Sequence, residues 1–169
     1  IEYLLWGDPE TQPTQNDILA SLAVNDDNSE RRRKYLMLIT RQLLADHQYL
    51  HSIWNGGRGS YAHRMKTVSD TEATRRVFEG LIQLIDQEMI YRSMEVPVHT
   101  ANRRLAQSYF SQQTGRDLLS NFEGIEAVMF GRLNSYSGVG LLSLVGAVDA
   151  NLGQRLNREL KLARRLLVW

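Results

Sequence analysis

Apolar residues recur along this chain at helical spacing rather than in alternation, over long stretches broken by only three prolines, at positions 9, 13 and 97. Leu36, Ile39, Leu43, Leu50 and Ile53 lie three, four or seven apart. They predict a long helix over 29–54, capped by Asn28 or Ser29 and ended by Gly56-Gly57-Arg58-Gly59. Ser69-Asp70-Thr71-Glu72 has the form of a capping box. From it Phe78, Leu81, Ile82, Ile85 and Met89 carry a second helix over 71–95, which Val96-Pro97 should stop. A third helix, over 115–131, has the stripe Leu118, Phe122, Ile125 and Met129 in four-three-four spacing, with Gly131 at its end. The fourth, over 147–168, rests on Leu152, Leu156, Leu160, Ala163 and Leu167, with Arg164 and Arg165 near its end, where positive charge complements the helix dipole. Asn16-Asp17 predicts the cap of a short helix, Asn25-Asp26-Asp27-Asn28 a turn, and Gly138-Val139-Gly140-Leu141-Leu142 the start of a short apolar helix feeding the last one. Leu36, Leu43, Leu81, Ile85, Leu156 and Leu160 are expected to be buried together with the third helix's stripe.

The fold class that follows is all-α, as antiparallel up-and-down helical bundles joined by short connections. The glycine-rich stretch 55–60 is the expected boundary between a first bundle, 1–55, and a second, 61–169. Composition supports a folded domain, since 169 residues with 43% hydrophobic can build a core. Twenty Lys and Arg against nineteen Asp and Glu leave a formal charge of +1, which gives no reason to expect a nucleic-acid partner. The absence of cysteine excludes disulfides, thiolate metal sites and a Cys nucleophile. The most apolar run, 139–148, is about half the ~20 residues that a bilayer-spanning helix needs.

Few constellations could carry chemistry. His47 and His51, four apart, share a helix face at a spacing that can chelate zinc, copper or nickel. A zincin helix also has Glu beside its first His, whereas Gln48, Tyr49 and Leu50 stand between these two, so that base is missing. His47 also falls on the apolar stripe between Leu43 and Leu50, which reads as a hydrogen-bonded, partly buried histidine. Glu88 and Arg92 have the spacing of an ion pair contributing about 0.3–0.5 kcal/mol. The stretch Ser108-Tyr109-Phe110-Ser111-x-x-Thr114-x-x-Asp117-x-x-x-Asn121 is more specific. Ser111 and Thr114 can serve as N-terminal caps, and Asp117, Asn121 and Gly124 line one polar face of the third helix. Gly124 costs about 1 kcal/mol against Ala there, which calls for close approach of a helix or a ligand. The run 30–34, one acid and four bases, reads as a solvated helical turn. Gly56-Gly57-Arg58-Gly59 lacks the strand and the Lys-Ser or Lys-Thr pair of a phosphate loop, and no Gly-x-Ser-x-Gly elbow occurs.

The opening Ile1-Glu2-Tyr3-Leu4-Leu5-Trp6-Gly7, the segment Ser108-Tyr109-Phe110-Ser111 and the run 117–131 resemble the imelysin family, also known as the M75 peptidases. The family's signature is Gly-x-His-x-x-Glu leading into an apolar stretch that ends in Trp-Gly, and Glu2 matches its glutamate. The matching histidine would stand three residues before Glu2, ahead of Ile1, so the chain reads as a fragment beginning inside the motif, with the N-terminal part of the same protein as its partner. The resemblance implies a two-bundle helical protein of the periplasm or outer membrane, associated with iron uptake. It implies Glu2 as metal ligand or catalytic residue, a divalent ion such as Zn or Fe as cofactor, and Arg92, Ser108, Ser111, Asp117 and Asn121 as residues that touch or support a ligand. The alternative it offers is a zinc metallopeptidase. Catalytic zinc needs three protein ligands and a base, while one His and one Glu supply at most two of these roles, so metal or small-ligand binding is favoured over hydrolysis. A third reading is a helical binder of polysaccharide or protein with a vestigial site.

Overall fold

The computed structural model of the chain describes residues 1–23, 27–55 and 57–168. The described residues are helical apart from loops and one hairpin, so the chain is all-α. The helices are α1 (Glu2–Trp6), α2 (Gln15–Ala23), α3 (Asp27–Asn55), α4 (Tyr61–Thr67), α5 (Asp70–Gln83), α6 (Val96–His99), α7 (Thr114–Phe130), α8 (Leu141–Val148) and α9 (Ala150–Leu167). Short 3-10 turns occupy Pro9–Thr11 and Arg103–Leu105, and a π-helical stretch, Leu84–Glu95, continues α5 into α6. Strands β1 (Arg132–Leu133) and β2 (Tyr136–Ser137) pair antiparallel, Arg132 opposite Ser137.

Two compact units are present: residues 1–82 with 109–112, and residues 83–108 with 113–169. Residues 57–60 lie within the first unit, while Gly56, like Asn25 and Asp26 of the expected turn, lies outside the described residues.

Local chemistry explains the helix ends. Thr14, not Asn16, opens α2: its Oγ1 accepts from Asp17 N–H at 3.2 Å while Asp17 Oδ2 accepts from Thr14 N–H at 2.8 Å, a reciprocal box. Ser60 caps α4 through His63 N–H, a helix that sequence patterning did not predict. Ser69 Oγ accepts from Glu72 N–H as expected. The stop expected at Val96-Pro97 falls instead at Thr100: Glu95 and Val96 keep right-handed helical angles, so the helical run passes through Pro97 before it ends. Within the preceding π-helical stretch Ser93 Oγ donates to the Glu88 carbonyl five residues back, at 2.7 Å, in keeping with the wider turn. The last helix begins at Ala150 rather than 147, since extended Asp149 caps it through Leu152 N–H.

Core formation follows the third stripe. Leu118, Phe122, Ile125 and Met129 of α7 are all buried. Leu36, Leu81, Leu156 and Leu160 are half-buried, and Leu43 and Ile85, expected inside, are exposed. For Leu43 the reason is length. α3, with 29 residues, packs on α2 and α4, which have nine and seven, and at ~1.5 Å per residue such short helices cannot cover it. Every residue from 41 to 52 is consequently exposed.

Two stability predictions arise here. A Cβ built on Gly124 would meet nothing within 4 Å, so the close approach expected at this glycine is not made. Gly124→Ala should therefore raise the unfolding free energy by about 0.5–1 kcal/mol in urea denaturation, through helix propensity and a less flexible unfolded chain. Glu72 accepts from Arg75 Nε at 2.9 Å and Arg76 Nε at 2.6 Å, and these hydrogen bonds, Arg75's first, hold its carboxyl at about 2 instead of 4.5. A depressed carboxylate stabilises the fold fully above pH ~4.5 and loses that contribution as pH falls toward ~2. Glu72→Gln should lower the Tm at pH 7, and the gap between variant and parent should close as thermal melts are taken down to pH 2.

Candidate functional site

Glu2 occupies the first turn of α1, and its placement depends on the segment 109–112, which joins the same unit from far along the chain. Ser111 Oγ donates to Glu2 Oε1 at 2.9 Å. Two further contacts hold that segment against the opening residues. Tyr109 OH donates to Asp8 Oδ1 at 3.3 Å, and the Phe110 ring meets Tyr3 edge-on at 5.3 Å between centroids. Tyr109 and Leu4 are buried, and the Arg32 guanidinium stands 5.9 Å from the centre of the Tyr3 ring. Gly7 closes α1 with φ 71, a left-handed value, and a Cβ there would strike Pro13 Cγ, so both backbone and packing require glycine. Asp8 has a second task, capping the 3-10 turn through Glu10 N–H at 3.1 Å. The outcome is a half-buried carboxylate with one oxygen fixed by a hydroxyl.

The second unit contains a separate polar pair. Ser108 Oγ donates to Asp117 Oδ2, and Ser108 N–H donates to Thr114 Oγ1 at 3.3 Å. Ser108 is buried and Asp117 half-buried. Asn121, one turn further along α7, is also half-buried. Neither Ser111 nor Thr114, the expected caps, is the N-cap of α7. Gln113 stands at the N-cap of α7 without a side-chain capping bond; the Ser111 hydroxyl donates to Glu2 and that of Thr114 accepts from the Ser108 N–H.

The structure thus brings Glu2 together with Ser111, and Ser108 with Asp117. Arg92 pairs with Glu88 at 3.0 Å, and its side chain is 68% exposed, so the pair has the geometry of an ordinary helix-surface ion pair. His47 and His51 are exposed, contrary to the partly buried histidine expected at 47, because the stripe around them is itself uncovered. Asn55 Nδ2 lies 3.1 Å from His51 Nε2. Among the described residues no group of three or more His, Asp or Glu side chains is placed to hold one metal ion.

Asp8, Tyr109 and Phe110 were not singled out by patterning as supports of Glu2. One signal was available for Asp8, since Asp-Pro is a common start of a helical turn. Two aromatics set between Ser108 and Ser111 give no hint of a partner a hundred residues away.

Compared with known proteins, the sequence model of the imelysin family, peptidase M75, matches residues 1–167. No curated protein matches the chain.

Proposed function

Because the chain belongs to the imelysin family over residues 1–167, we propose that it binds a small ligand or metal ion for iron uptake, in the periplasm or at the outer membrane, rather than cleaving peptides. The observation that supports this reading is the Ser111–Glu2 hydrogen bond of 2.9 Å. A hydroxyl fixing one carboxylate oxygen orients the other as a donor, the arrangement that raises affinity at a binding site. Tyr109 and Phe110 stiffen the segment that delivers Ser111, so the orientation is built into the packing.

On donor count the described residues do not make a metal centre by themselves, since Glu2 belongs to no cluster of three. One carboxylate binds a transition ion weakly; useful affinity requires several ligands at set distances. We place the second donor at the histidine that the family motif sets three positions ahead of Glu2. Hydrolysis would demand a third ligand or a base besides, which is why binding is the preferred reading.

Calorimetry with Zn(II) and Fe(II) tests the proposal. The chain as it stands should bind either ion no better than Glu2→Ala does. A version extended through the Gly-x-His half of the motif should bind, and Glu2→Ala in that version should weaken binding at least tenfold, about 1.4 kcal/mol. Peptide cleavage that depends on Glu2 would replace this reading by the metallopeptidase. Extended protein that neither binds nor cleaves would leave the helical binder of polysaccharide or protein.

A further inference from the structure

The second unit holds a cleft of about 430 Å³ whose polar lining is made by Arg132, Ser143, Asn157 and Lys161. It is remote in sequence from Glu2, and no carboxylate lines it. From Arg132, Lys161, Ser143 and Asn157 we propose that it binds a small organic oxyanion, a phosphate or carboxylate carrying a short apolar group.

Backbone crossings assemble the cleft. α7 ends at Gly131 in the left-handed region, φ 67, and Arg132 follows at once in β1. The hairpin returns so that Gly140 lies against the backbone of residues 129–131, where a Cβ would fall on the Met129 carbonyl oxygen. Gly140 then leads into α8, placing Ser143 in its first turn. α8 and α9 cross at Gly146 and Gly153, with a Cβ on Gly153 only 2.8 Å from Gly146 Cα, and this close crossing brings α9 alongside. Asn157 and Lys161, four apart on α9, share the face that lines the cleft.

The charge pattern specifies an anion. Neither the Arg132 guanidinium nor the Lys161 ammonium forms an ion pair or side-chain hydrogen bond among the described residues. No acid lines it: Arg164 holds Glu126 and Glu123, and Glu159 lines a different, apolar groove with Met89 and Phe122. Two cations lining one cleft repel each other, and an oxyanion between them replaces that repulsion by charge-assisted hydrogen bonds. Ser143 and Asn157 add a hydroxyl and an amide donor. Met129, Phe130 and Leu142 form the rest of the lining, an apolar surface beside the charged one. The volume falls within the ~300–1,000 Å³ common for small-molecule sites.

The test uses the whole chain, with phenyl phosphate and inorganic phosphate titrated by calorimetry and phosphatidylglycerol vesicles examined by co-sedimentation. Phenyl phosphate should bind saturably and several-fold more tightly than inorganic phosphate. Arg132→Gln and Lys161→Gln should each weaken it at least tenfold with unchanged thermal melts, both side chains being exposed. Arg158→Gln, an exposed cation of α9 outside the cleft, should leave it unchanged. Vesicles that bind, lose binding in Lys161→Gln and are displaced by phenyl phosphate would identify a lipid headgroup as the source of the oxyanion; vesicles that do not bind would identify a free one. The proposal is overturned by absence of saturable binding, by equal loss in Arg158→Gln, or by vesicle binding that phenyl phosphate does not displace.

Discussion

Ile125→Ala is expected to lower the unfolding free energy by about 3 kcal/mol, within the ~2–5 kcal/mol typical for truncating a buried aliphatic residue. Ile125 is 1% exposed at the centre of the α7 stripe, between Phe122 and Met129. Removing its three outer carbons forfeits their transfer from water and leaves a space that helices on neighbouring elements can close only in part. Ile82, with the same side chain at 62% exposure, is the control: Ile82→Ala should stay within about 0.5 kcal/mol of the parent. Urea denaturation of both variants, with unchanged slopes, measures the difference. Equal losses at the two positions would mean that α7 is not the element around which the core forms.

Gly140→Ala should cost about as much, for the opposite reason. Its φ of −88 and ψ of 161 are values that alanine adopts freely, so no backbone strain is involved. The added methyl would instead land on the Met129 carbonyl oxygen and on the Phe130 and Gly131 backbone, atoms that no side-chain rotation can move aside. Overpacking of this kind costs ~1–3 kcal/mol or more, and here the upper part of that range is expected because the obstacle is main chain. Gly124→Ala provides the sign check, since the same substitution in open space should stabilise. Gly140→Ala should also weaken phenyl phosphate binding, because the crossing it disturbs positions both Arg132 and Ser143. A variant as stable as the parent would show that the hairpin does not pack on the end of α7.

Helical periodicity and end signals were legible wherever the physics is local. A four-three-four stripe places Leu118, Phe122, Ile125 and Met129 on one side of any α-helix, and all four are buried. Ser69, Gly131 and the apolar start at Leu141 likewise act within a few residues of themselves. The family was legible for another reason: a motif such as the opening through Trp6-Gly7 can be read residue by residue, and the family match covers it.

What the stripe of α3 could not reveal was whether anything covers it. Leu43 and Leu50 have the same periodicity as the α7 residues, yet they are exposed, because burial depends on the length and placement of neighbouring helices. The hydroxyls of Ser111 and Thr114 present a similar case. Short polar side chains ahead of a helix favour capping, but the fold places Gln113 at the N-cap of α7 and brings the Ser111 hydroxyl to Glu2 and that of Thr114 to the Ser108 N–H.

Local spacing by itself therefore determined the helical class, the buried face of α7 and the family to which the chain belongs. Only the tertiary structure decided that Glu2 is held by Ser111, that Asp117 is held by Ser108, and that Arg132 shares a cleft with Lys161. The physical reason is range. Propensity, capping and periodicity act over one or two turns, whereas each of these associations joins residues separated by nine to more than a hundred positions, and depends on how the intervening helices pack.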